Sequence, residues 1–158
     1  PGSRDPSTAQ RKLEGLLEHG VRQVINLMEE DEHNFSGETF VPYEQQLEDI
    51  AEKADIPIKL VHMPIRDTDV PTVEGMIAIL DEIDRAIRQN PRVYLHCWGG
   101  RGRTGTAVGC YLARHGMGVG EAALDLLSTL RQNDPISHLS SPETEIQAQF
   151  VRSWVEGR

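Results

Sequence analysis

The sequence has only two cysteines, Cys97 and Cys110, in 158 residues. Two are too few for a disulfide scaffold, and a reducing compartment is the expected setting. Aromatics make up 5% of the chain. No apolar run approaches membrane-spanning length, and no secretory leader is visible. Positive charge is also scarce: 16 Lys and Arg against 25 Asp and Glu give a net charge of −9. That balance excludes general affinity for nucleic acid or an anionic membrane, and favours cationic partners away from any local basic pocket. There is no internal repeat, low-complexity tract or long linker, so residues 1–158 read as one soluble domain with a core of its own.

Against this background one stretch stands out: His96-Cys97-Trp98-Gly99-Gly100-Arg101-Gly102-Arg103-Thr104-Gly105-Thr106. Before it, Arg92 to Leu95 is short, apolar and rich in strand formers. After it, Gly105 to Arg114 reads as a buried helix. A helix start offers unpaired N–H groups and the positive end of the backbone dipole. The three glycines Gly99, Gly100 and Gly102 let the loop curl into a nest of N–H groups for an anion. Arg103 sits where its fork can take two oxygens of that anion. The same positive environment favours ionisation of a sulfur at its mouth, and the thiolate is the nucleophile. Thr104 can hydrogen-bond that sulfur, and His96 can brace the loop.

The pattern Cys-x5-Arg-Thr, here Cys97 to Thr104, resembles the signature loop of cysteine-dependent protein tyrosine phosphatases of the dual-specificity-like subgroup, in particular kinase-associated-phosphatase-like bacterial enzymes. The Gly-Lys-Ser/Thr ending of nucleotide-binding loops is absent. The resemblance implies hydrolysis of a phosphomonoester through a phosphocysteine, with Cys97, Arg103, Thr104 and an upstream acid as catalytic groups. It also implies His96, Trp98, Gly99, Gly100, Arg101 and Gly102 as the loop around the substrate. No metal and no cofactor are expected, since Arg103 and the backbone do the charge work of a metal. The protein is expected in the cytoplasm. Phosphotyrosine on protein is the default substrate, with dual specificity open. The alternatives are a phosphatase of small phosphorylated molecules such as inositol phosphates or phosphoinositides, and a non-catalytic phospho-binding module. Arg101, as a second guanidinium, favours a multiply charged ligand. The oligomeric state is not legible.

The rest of the chain alternates helix and strand signals. Helices are expected over residues 8–19 and 43–54, along Val73 to Ile87 until Asn90-Pro91 stops it, and over Val119 to Leu130. Ser141-Pro142-Glu143 reads as the start of a last helix carrying Ile146, Phe150 and Trp154. Strands are expected at Val21 to Leu27, Ile58 to His62 and Arg92 to Leu95. This order gives an α/β fold: a three-layer, phosphatase-like domain with a short, mostly parallel sheet flanked by helices. Phe35 to Phe40 is expected as a loop. Relatives carry a short strand before the first helix, for which little sequence is present, so a trimmed start is expected.

The acid belongs to Met63-Pro64-Ile65-Arg66-Asp67-Thr68-Asp69, a polar loop directly after a strand. Pro-Ile-x-Asp resembles the acid loop of the kinase-associated enzymes and implies Asp67 as the acid, with Asp69 as runner-up. Gln147 resembles a glutamine that positions the hydrolytic water; an exposed helix residue is the equal alternative. The acidic run Glu29-Glu30-Asp31-Glu32-His33 is expected to be a solvated loop rather than a metal site. Cys110 is expected in the core.

Overall fold

The computed structural model describes residues 4–34, 36–89 and 92–158. Pro1 to Ser3, Phe35 and the helix stop at Asn90-Pro91 lie outside the described residues. In chain order the elements are α1 (Pro6–Glu18), β1 (Gln23–Asn26), α2 (Glu44–Lys53), β2 (Lys59–His62), α3 (Val73–Gln89), β3 (Val93–His96), α4 (Arg103–Arg114), α5 (Glu121–Leu130) and α6 (Glu145–Arg152). Every strand is parallel, in the order β2-β1-β3.

β1 is central because it is the strand buried on both faces. Its side chains alternate between two cores. Val24 points to one side, among Leu13 and Leu17 of α1 and Leu47 and Ala51 of α2. Ile25 points to the other, among Met76, Leu80 and Ile83 of α3 and Ala107 and Cys110 of α4. The sheet is therefore the middle of three layers, and its carboxyl ends Asn26, His62 and His96 lie in register at one edge. Open α/β sheets place their sites at that edge.

Local signals account for three of the helix starts. Asp5 caps α1, accepting from the Thr8 N–H at 2.7 Å. Thr72 precedes α3 and accepts from Gly75 N at 3.0 Å. The last helix differs from expectation. Pro142 does not open it: α6 begins at Glu145, and Thr144 with Gln147 forms a reciprocal capping box. Ile146 is 54% exposed, while Trp154 beyond the helix is buried. Among the described residues, no helix is long and apolar enough to cross a membrane.

Candidate active site

β3 ends at His96, and the chain turns through six residues, three of them glycine, before α4 begins at Arg103. Gly100 takes φ +67°, a left-handed conformation that side chains rarely adopt. The turn brings Cys97, 4% exposed, to the amino end of α4. Thr104 in the first turn of α4 donates its hydroxyl to Cys97 Sγ at 3.1 Å. Gly99 and Gly100 are exposed, and Trp98 stands at the rim, its ring edge-on to Phe40 with centroids 5.3 Å apart.

His96 lies behind the loop rather than in its mouth. Nδ1 is 3.0 Å from the Cys97 carbonyl, and Nε2 meets the Tyr43 hydroxyl. One neutral tautomer satisfies both: Nδ1–H donates to the carbonyl and Nε2 accepts from Tyr43. Burial lowers the ring's pKa to about 4. An unfolded histidine titrates near 6.5, so between these values the unfolded chain holds more protons. The stability supplied by a neutral His96 is complete above pH ~6.5 and falls as pH drops toward 4, by on the order of 3 kcal/mol. Glu82 is held at about 2, chiefly by Arg85, so its loss starts only below pH ~4.5. Urea midpoints between pH 7 and 5 should therefore fall in the native protein, with a smaller slope in His96→Asn. Equal slopes would contradict this assignment.

Arg103 is 2% exposed and joins three parts of the chain. Glu32 takes it end-on through two bonds, Nη1 to Oε2 at 2.5 Å and Nη2 to Oε1 at 2.6 Å. Nη2 also lies 2.9 Å from Asp67 Oδ1, and Nη1 donates to the Ile65 carbonyl at 3.2 Å. Burial opposes the guanidinium's charge, but Glu32, together with Cys97 and Asp67 beside it, holds the pKa above the ordinary arginine value. The acidic run is thus corrected in one residue. Glu29, Glu30, Asp31 and His33 are exposed as expected, whereas Glu32 turns inward and is 8% exposed. Among the described residues no group of three or more His, Cys, Asp or Glu side chains could hold a metal ion.

The acid loop separates its two aspartates. Asp67 reaches Arg103. Asp69 turns onto its own backbone, accepting from Val70 N at 2.8 Å. Between them Thr68 sits at φ +61°. Two residues of the α6 capping box tie the loop down. The Thr144 hydroxyl donates to the Thr68 carbonyl at 3.1 Å, and Gln147 Nε2 donates to the Asp69 carbonyl at 3.0 Å. Gln147 is fully buried rather than an exposed helix residue, and its Oε1 accepts from the Glu143 and Thr144 N–H groups at 3.2 Å. A Cβ on Gly102 would stand 3.1 Å from that oxygen, so Gln147 separates the thiol loop from the acid loop. Gln147→Ala leaves these backbone groups without their partner. It should cost about 1–3 kcal/mol in urea denaturation and lower kcat more than it raises KM. Unchanged stability would sink this role.

Arg101 is engaged by its neighbours rather than free for a ligand. It pairs with Glu143, and its carbonyl accepts from Ser141 Oγ at 2.8 Å. Cys110 is fully buried, its thiol pKa pushed up by burial, and both cysteines are free thiols.

A thiol loop after the parallel strand β3, an arginine at its helix start and an aspartate from the loop after β2 resting on that arginine form one constellation. The family model described as "Tc-R-P: Polymorphic toxin system, DSP-PTPase phosphatase" matches residues 2–117. An uncharacterized protein of Methanocaldococcus jannaschii is 29% identical over 112 residues, which is 66% of this chain and 66% of that relative's length. The crystal structure of Tk-PTP in its active form is similar with a TM-score of 0.67 and 25% identity, over 92% of this chain and 84% of that one. A kinase associated phosphatase (KAP) structure shares the fold with a TM-score of 0.65 and 20% identity, over 90% and 72% of the two chains. The chain belongs to the DSP-PTPase phosphatase family of polymorphic toxin systems.

Proposed function

We propose that the protein is a phosphomonoester hydrolase of the protein tyrosine or dual-specificity class, working through a phosphocysteine as one catalytic domain. The observation that carries this reading is the 2.9 Å contact between Asp67 and Arg103, because it brings a carboxyl group to the residue that grips the phosphate. Cys97 Sγ attacks phosphorus as the thiolate. A P–S bond forms while the bond from phosphorus to the ester oxygen breaks. Arg103 and the loop N–H groups hold the other three oxygens. Asp67, protonated for this step, gives its proton to the departing oxygen. In the second step water replaces sulfur on phosphorus, and Asp67 takes the water's proton. Thr104, 3.1 Å from the sulfur, stabilises the thiolate as it leaves.

Protein phosphotyrosine is the substrate this reading favours. The Glu143 partner of Arg101 removes the main argument for a polyphosphorylated ligand. An idle binding module has no need of the Thr104 contact to sulfur. A working thiolate and two free cysteines suit a reducing, cytoplasmic setting. The test is turnover of a phosphotyrosine peptide, a phosphoserine peptide, an inositol phosphate and a phosphoinositide, each with and without a chelator. Chelator-resistant hydrolysis led by the phosphotyrosine peptide is expected. Preference for either inositol compound would overturn the substrate reading, and binding without turnover would overturn the enzyme reading.

A further inference from the structure

Beside the thiol loop, at the carboxyl edge of β1 and β2, lies a groove of about 310 Å³ that the reaction above does not use. Buried Met28, half-buried Phe40 and exposed Pro42 give it an apolar surface. Glu29, Glu30 and Glu44 line it as well. Glu29 and Glu30 are exposed and make no ion pair among the described residues. Glu44 is fixed in the wall, accepting from Asn26 Nδ2 at 3.1 Å and from Tyr43 N at 2.9 Å. His62 Nε2 is engaged by the Met28 carbonyl on the remaining side.

The groove is continuous with the site. Its Phe40 ring packs edge-on against Trp98, the residue after Cys97. Its Glu29 and Glu30 belong to the same turn as Glu32, which holds Arg103. An anion-binding loop with Arg103 at its helix start therefore borders a negative groove with an apolar surface. A ligand that matches both carries a phosphate next to a long cationic side chain, whose methylene stem covers the apolar part while its head meets the carboxylates.

We propose that this groove is a specificity subsite for a lysine or arginine adjoining the phosphotyrosine of a protein substrate. It rests on the phosphatase reading and narrows it to basic phosphoprotein segments. It also disfavours polyphosphorylated ligands, whose further phosphates would face Glu29 and Glu30.

The test compares three substrates: a phosphotyrosine peptide flanked by lysines, the same peptide flanked by glutamates, and a small aryl phosphate. The native protein should prefer the lysine peptide. In Glu29→Gln/Glu30→Gln, kcat/KM for the lysine peptide should fall about three- to tenfold through KM, while the aryl phosphate is unaffected. A remote variant of the same net charge, Glu18→Gln/Glu48→Gln, should keep the preference. Equal use of the two peptides by the native protein, or an equal loss in the remote variant, would overturn the subsite while leaving the phosphatase reading intact. Failure to hydrolyse any of the three would instead overturn the phosphatase reading. Binding of the two peptides to Cys97→Ser then reads the subsite without turnover, and equal affinities would overturn it.

Discussion

Glu32→Ala should destabilise the protein by about 3–5 kcal/mol, as removal of one partner from a buried ion pair does. The alanine takes away both short bonds to Arg103, at 2.5 and 2.6 Å. The guanidinium, 2% exposed, cannot turn to water in place of its lost partner. Asp67 and the Ile65 carbonyl remain, but Asp67 is itself 54% exposed in its side chain and sits on a loop that has other work to do. The loss should appear as a lower urea midpoint with an unchanged slope. Turnover should fall with stability, because an unheld Arg103 no longer presents its fork to the phosphate. Adding Arg103→Met to Glu32→Ala removes the unpaired charge, and the double variant should recover much of the stability and none of the activity. A stable and fully active Glu32→Ala protein would mean that the pair is not formed in solution.

Asp67→Asn should lower kcat by about 10²–10⁴ on phosphotyrosine, whose leaving oxygen needs a proton. The loss should shrink steadily across aryl phosphates with better leaving groups, since these depart without protonation. Stability should change little, because the carboxylate is largely exposed. Asp69→Asn should show no such dependence on the leaving group: its carboxylate accepts from the Val70 N–H and shapes the loop. If Asp69→Asn gives the steeper dependence, the acid is Asp69, and the roles of Cys97 and Arg103 stand.

The contrast between Glu32 and Asp67 shows what a sequence can and cannot carry here. Asp67 is singled out in the sequence by the resemblance of Pro64-Ile65-Arg66-Asp67 to a family acid loop, and the fold sets it against Arg103. The thiol loop is legible for a stronger reason: the candidate nucleophile, anion nest and arginine occupy seven consecutive residues, Cys97 to Arg103. Among the described residues the helices are legible from apolar periodicity and the strands from short apolar runs, with ends off by a few residues. Glu32 is not. It is one of four carboxylates in a row of five residues, its partner lies 71 positions later, and nothing local says which acid turns inward. Gln147 is half legible. Thr144-x-x-Gln147 is a capping box that can be read directly, yet Ser141-Pro142 resembles a helix start and lies three residues before the true cap at Thr144. The groove beside Trp98 has no sequence signal, because β1, β2 and the Phe40 segment meet only in the fold.

The central claim is that phosphate passes through Cys97, and the most direct measurement is to catch it there. On the proposed mechanism Asp67→Asn should slow both steps, the second for want of its base. That variant, mixed with a good aryl phosphate, quenched within the first turnover and digested, should yield the peptide carrying Cys97 heavier by one phosphoryl group. The Cys110 peptide should stay unmodified, and Cys97→Ser should release no phosphate. An unmodified Cys97 peptide during active turnover, or full activity in Cys97→Ser, would contradict the account.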